Sequence, residues 1–358
     1  MTLAPARESI ETDGALNEKL ASSTMDTTRA VSLPPEMYRS QAIFEWERTE
    51  IFMKEWLCVG RSTDFTEIGD YKGLELVGEP IIVVRGQEGL HAFSAVCRHR
   101  GMIITVDVNA GKDAWTKPQP ESKGNCPRAF RCPYHFWQYD LKGQLISAPE
   151  MERSEGFNPA NVKLPALAIE EWQGFVFVNF HPQAKPLSPR LAPVMDLIKN
   201  WGIEAMVGPD PVRMPDVPWN WKIMHENSLE AYHVDRLHFP KHFALPSSGH
   251  LPSPYSDDDV VITIALKAAQ PNFALNPLGK ALFPPLDALS DEERQISYWI
   301  FVPPTLLIGL NSDSAFYAGA NVGNSGVIET QPLPWMERGQ SAEITLPPLA
   351  ALILLHQG

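Results

Sequence analysis

Apolar side chains recur at helical spacing in "MYRSQAIFEWERTEIFMKEW", where Ile43, Phe44, Ile51, Phe52 and Trp56 predict a helix over 36–56. From 57 to 180 the pattern shortens to β-rich runs punctuated by Gly, Pro and Asp: "WLCVG", "LELVG", "PIIVVRG", "LHAFSAV" and "QGFVFVNF". Within that span residues 109–125, "NAGKDAWTKPQPESKGN", are polar and rich in Gly, Pro and Lys, which predicts a loop insertion. Beyond 185 helix and strand patterns mix. "LSPRLAPVMDLIKNW" and "WKIMHENSLEAYHV" predict helices, and "VVITIALKAA", "QISYWIFVP", "TLLIGLN" and "SAFYAGANV" predict antiparallel strands. Residues 1–35 have no period and are expected to form a disordered tail. The fold class is α+β, with an all-β unit over 57–180 and a sheet-and-helix unit over 181–358.

Length and charge narrow the function. A chain of 358 residues is long enough for about two domains with cores of their own. A net charge of −13 argues against nucleic acid, whose phosphates need a Lys and Arg excess. No signal-peptide pattern and no eighteen-residue apolar span occurs, so the expected location is cytoplasmic, without a membrane. Four cysteines, Cys58, Cys97, Cys126 and Cys132, make no disulfide framework, and in a reducing compartment Cys and His in pairs point to metal.

Two such pairs occur: Cys97-x-His99 in "CRHRG" and, 32 residues on, Cys132-x-x-His135 in "CPYH". Gly101 and Pro133 shape both stretches as tight loops able to close on one centre. A Cys2His2 zinc site is one reading, although zinc fingers group CxxC and HxxxH rather than mixing them. A Rieske cluster, with two thiolates on one iron and two imidazoles on the other, asks for mixed pairs. Cys126 reads as a bystander and Cys58 as core.

The second constellation lies in "NWKIMHENSLEAYHVDRLH". Metalloprotease HExxH fails, because the fourth residue after His225 is Leu229. On a regular helix Glu226, Glu230 and His233 share a face, whereas His233 and His238 stand about 140° apart. Joint ligation by the two histidines therefore predicts an unwound turn or π-turn between them. A solvated amphipathic helix is the other reading of the same residues.

With these residues in view the chain resembles the Rieske non-haem iron oxygenases, specifically their large (α) subunits, from about residue 40 to about 317. "CRHRGM" and "CPYHFWQYDLKGQLISAPE" are similar to the family's two cluster boxes, and "NWK…EN…E.YH….H" to its catalytic signature. The resemblance implies a small all-β Rieske domain followed by a helix-grip (START-like) catalytic domain. It implies a [2Fe–2S] cluster with Cys97 and Cys132 on the inner iron and His99 and His135 on the outer, and a mononuclear Fe(II) on His233 and His238. Glu230 would match the acid bridging the two centres across a subunit boundary, and Asn227 a residue near the iron. A Glu at that place is similar to the branch acting on quaternary ammonium compounds.

The implied reaction is hydroxylation of a small aromatic or quaternary ammonium substrate with dioxygen. Electrons would come from NAD(P)H through a ferredoxin or flavin reductase, in a homotrimer with or without a small β subunit. Two departures stand out: the gap between the boxes is longer than the family's usual, through the polar insertion, and Phe136 stands where the family usually has glycine. The third iron ligand should be a downstream aspartate. No aspartate follows Asp313, which leaves Glu343 or none, and predicts a truncated or altered C-terminus after about 317. An electron-transfer protein or inactive homologue lacking that ligand, and a zinc-stabilised binding module, remain as other readings.

Overall fold

The computed structural model describes residues 14–26, 28–105, 121–206, 219–237, 247–251, 262–267 and 286–310. The chain divides into two compact units at Leu187/Ser188. Part of the expected tail is helical: α1 spans Gly14–Ser23, whose Ala, Leu, Glu and Lys are strong helix formers that outweigh the lack of an apolar stripe. The helix expected over 36–56 is broken into α2 (Glu36–Arg39), α3 (Gln41–Glu47) and a π-turn at Arg48–Phe52. Ser40 makes the break, because its extended backbone leaves its hydroxyl to cap α3 by accepting from the Ile43 amide at 3.3 Å.

Among the described residues ten strands follow in the first unit. Seven form one antiparallel sheet in the order β1 (Leu57–Arg61), β10 (Phe175–Asn179), β9 (Ala166–Trp172), β4 (Leu90–Ser94), β3 (Glu79–Arg85), β2 (Asp70–Leu76) and β5 (Glu121–Asn125). The others, β6 (Ala129–Arg131), β7 (Gln138–Asp140) and β8 (Leu145–Ser147), form a small sheet of their own. Strand β5 corrects the reading of 109–125 as loop throughout: Asp70 to Leu74 of β2 pair with Asn125 to Glu121. Polar residues are at home there because β5 is an edge, where solvated side chains deter further pairing. The rest of the insertion, 109–120, lies outside the described residues.

Strand β3 explains why "PIIVVRG" reads as one apolar run instead of alternating. Ile81 and Val83 face a cluster with Phe65, Leu167, Val176 and Val178. Ile82 and Val84 face the opposite one, with Phe93, Ala95, Phe130, Tyr139 and Leu164. The second cluster joins the large sheet to the small one and contains Cys97 and Cys132. Phe93 is 1% exposed and meets Phe130 edge-on, with ring centroids 6.0 Å apart. Phe93→Ala is expected to cost about 3–5 kcal/mol and to lower the thermal midpoint of this unit by roughly 10 °C, read by calorimetry.

In the second unit β11 (His250–Leu251), β12 (Ile262–Lys267), β13 (Ile296–Val302) and β14 (Leu306–Leu310) form an antiparallel sheet in sequence order. Tyr298 and Phe301 point to opposite faces of β13. Trp201, just beyond helix α4 (Ala192–Ile198), meets Tyr298 edge-on at 6.2 Å. His225, on helix α5 (Trp221–Ser228), lies 4.7 Å from Phe301 and bonds the Pro304 carbonyl at 3.1 Å. The sheet is thus covered on both sides, and "YWIFVPPTLLIGL" contributes core. The expected strand "SAFYAGANV" falls outside the described residues. Among the described residues no helix is long and apolar enough to cross a membrane.

Candidate functional site

The small sheet and the end of β4 present two loops of one design. In the first, the Cys97 amide bonds the Met102 carbonyl (2.8 Å) and the Gly101 amide bonds the Cys97 carbonyl (3.0 Å). In the second, the Cys132 amide bonds the Trp137 carbonyl (2.8 Å) and the Phe136 amide bonds the Cys132 carbonyl (3.1 Å). Closing each loop this way puts the fourth residue after the cysteine in the left-handed region, at φ 76° for Gly101 and 59° for Phe136. Glycine adopts that conformation freely; for Phe136 it costs roughly 1–2 kcal/mol.

The loops sort their donors by depth. Cys97 and Cys132 are each 2% exposed and packed in the core, whereas His135 is exposed and His99 partly so. The two imidazoles stand together, 4.7 Å between centroids at 69°. Burial pushes the Cys132 thiol up, and adjacent Cys97 adds to this. Burial, with the charges of His135 and Arg100, holds His99 below the usual imidazole value, so it is available as a neutral donor. Among the described residues no three His, Cys, Asp or Glu side chains gather as about a single ion. A cluster of two irons, each taking two protein donors, does not ask for that.

Two aromatic residues that the sequence reading passed over support these donors. Trp137 stacks on His99, 4.8 Å between centroids and 8° from parallel. The Tyr139 hydroxyl lies 3.3 Å from Cys97 Sγ and accepts from the Arg98 amide at 3.1 Å. Burial raises the phenol well above its ordinary range, so it keeps its proton and donates to a thiolate. The signal was there: Tyr139 falls on the inward face of a strand seven residues past Cys132. A bond to sulfur favours the more negative, reduced state. Tyr139→Phe is therefore expected to lower the potential of an assembled cluster by tens of millivolts, on the order of 1 kcal/mol, read by protein-film voltammetry.

In the second unit Asn220 caps α5 by accepting from the Lys222 amide at 3.1 Å, and the helix stops at Ser228. Chain direction changes over Leu229–His233 before a short helix, α6 (Val234–Leu237), resumes. The reading of Glu226, Glu230 and His233 as one helical face is thereby corrected: the break puts Glu226 on α5 and the other two beyond it. The break does not fall where the unwinding was expected: it precedes His233, and Val234–Leu237, between His233 and His238, are helical. His238 and Glu343 lie outside the described residues. Asn227 is exposed on α5.

Glu230 and His233 form one unit. The carboxylate pairs with His233 Nδ1 and also accepts from the His233 amide at 3.1 Å. Burial alone would raise the Glu230 carboxyl, but its bonds to His233 outweigh burial and hold it below the ordinary value. A carboxylate on Nδ1 fixes the ring and leaves Nε2 for a metal, the usual support of a ligating histidine.

Comparison with known proteins follows the same division. The Rieske [2Fe-2S] domain family matches residues 55–167, and the catalytic domain of the ring hydroxylating alpha subunit matches 200–318. The C-terminal all-beta domain of alpha amylase matches 292–357, overlapping the catalytic match and running past its end. The carnitine monooxygenase oxygenase subunit of Acinetobacter pittii is 30% identical over 217 residues, 58% of this chain and 53% of the relative. The glycine betaine monooxygenase oxygenase subunit of Chromohalobacter salexigens is 30% identical over 256 residues, 66% and 54%. The chain spans about half the length of these curated relatives. A solved quaternary ammonium Rieske monooxygenase shares the fold at TM-score 0.62 and 23% identity, over 79% of this chain and 69% of that one. Naphthalene 1,2-dioxygenase from Rhodococcus sp. does so at 0.60 and 20%, over 83% and 69%. A Rieske [2Fe–2S] domain followed by a ring-hydroxylating catalytic domain, which uses a mononuclear iron, places this chain in the family of Rieske non-haem iron oxygenase large subunits.

Proposed function

We propose that the protein is the terminal oxygenase component of a hydroxylating system, with Cys97, His99, Cys132 and His135 holding the [2Fe–2S] cluster and His233 and His238 the mononuclear iron. The observation that carries this reading is the twin loops, which bring two buried thiols and two paired imidazoles to one place. When bound, the cluster supplies single electrons and the mononuclear iron the site of dioxygen chemistry.

The chain's own part is positioning. The buried thiols keep one side of the cluster dry, while exposed His135 leaves the other open to electron entry. Glu230 orients His233 through Nδ1. Electrons come from a ferredoxin or flavin reductase, and the assembly is a head-to-tail ring of three, since a heterologous interface can close on itself. The relatives named for carnitine and glycine betaine, with Glu230 at the bridging position, favour a quaternary ammonium substrate over an aromatic one.

Anaerobic reconstitution with iron and sulfide tests the cluster: acid-labile sulfide with a Rieske-type EPR signal supports it, and a colourless zinc protein overturns it. Oxygen uptake with quaternary ammonium and aromatic compounds, given an electron donor, then tests the reaction. A second reading, electron transfer without oxygenation, is favoured by one finding: beyond residue 318 the chain matches a different family from its catalytic domain. A reducible cluster without substrate-dependent oxygen uptake would select it.

A further inference from the structure

The two cysteine loops follow one backbone path but hold their histidines unequally. In the first, the left-handed position belongs to Gly101, and a side-chain carbon added there would meet nothing within 4 Å. The tip of this loop is tied down, because the Arg98 amide donates to the Tyr139 hydroxyl. His99 then lies flat on Trp137, which is 5% exposed and packed in turn against Phe157, 5.5 Å between centroids.

In the second loop the left-handed position falls to Phe136, the residue directly after His135. Its ring recovers little of the backbone strain by burial, being 53% exposed. It meets the Arg131 guanidinium, 5.1 Å from the centroid, and a cation–π pair open to water is weak. Beside His135 stands Tyr134, equally exposed and tilted by 36°. A strained, poorly buried loop opens locally more readily than a relaxed and packed one.

We propose that Phe136 makes the second loop the yielding side of the cluster site, so that His135 is the donor released first and His99 the donor that holds. The inference rests on the proposed cluster ligands and concerns how firmly each one is kept. Cluster loss, and by reversal cluster loading, then runs through the loop of Cys132 and His135.

The test is the rate at which reconstituted protein loses its visible absorbance and acid-labile sulfide to excess EDTA. Phe136→Gly removes the strain and is expected to slow the loss about tenfold. Phe136→Ala removes the ring but keeps the strain, and is expected to stay within about threefold of the parent. Gly101→Ala places similar strain on the clamped loop, and is expected to quicken the loss less than about twofold. In ENDOR of the reduced protein with ¹⁵N-histidine, the parent should give one narrow and one broad nitrogen signal, and Phe136→Gly two narrow ones. The inference is overturned by an unchanged rate in Phe136→Gly, by equal slowing in Phe136→Ala, or by Gly101→Ala quickening loss tenfold. Loss that rises steeply with dilute guanidinium would also overturn it, since that marks unfolding of the whole unit. A parent that takes up no acid-labile sulfide overturns the cluster reading and this inference together, whereas the other failures leave the cluster reading standing.

Discussion

Cys132→Ala is expected to yield a colourless protein, with acid-labile sulfide and the reduced-state EPR signal both falling below about a tenth of the parent's. The reasoning starts from burial. At 2% exposure the Cys132 sulfur has no solvent side from which water or an added thiol could take its place. Burial and Cys97 also push its thiol up, so in the metal-free protein it stays protonated, and loading the cluster must displace that proton. With one donor gone, the paired imidazoles keep only half of the sulfur support that a dinuclear centre needs. Cys126→Ala is the matched control, since its thiol instead donates to the Ala129 carbonyl at 2.9 Å. Equal sulfide in Cys132→Ala and parent would refute the cluster ligands as assigned.

His233→Ala is expected to remove one iron per chain while leaving acid-labile sulfide intact, and to abolish substrate-dependent oxygen uptake. The two losses separate because His233 belongs to the second compact unit and the cluster loops to the first. His233 is the described iron-ligand candidate that already has its support in place, with Glu230 on Nδ1 and on the amide. Glu230→Gln keeps the shape but weakens that support, and is expected to lower iron affinity roughly 10- to 100-fold without removing the ligand. Metal analysis of dialysed protein reads both variants. Retention of mononuclear iron in His233→Ala would sink the assignment.

Much of this architecture was legible because the chemistry is local. Cys97 with His99, and Cys132 with His135, lie within single tight turns, so their spacing already states the loop. The helix end at Ser228 was not legible: the geometric argument put the unwinding between His233 and His238, where Val234–Leu237 are helical. What failed depended on distant partners. Strand β5 is a polar run that becomes a strand only because β2 offers an unpaired edge, and nothing within 121–125 announces it. Trp137 and Tyr139 were passed over, because their contacts to His99 and Cys97 come from the fold, not from spacing. Glu226 was grouped with Glu230 because periodicity was carried through a helix end.

One pairing bears on how the metal is acquired. Leu57 of β1 meets Val178 of β10, which in turn pairs with β9 and so with β4, the strand that leads into Cys97. During synthesis the large sheet cannot close until the segment to about 179 has left the ribosome, by which point all four cluster donors are already outside. Nascent chains cut short before Phe175 should therefore present these thiols to solvent and scavenging oxidants, and iron delivery belongs after that stage of translation rather than before it.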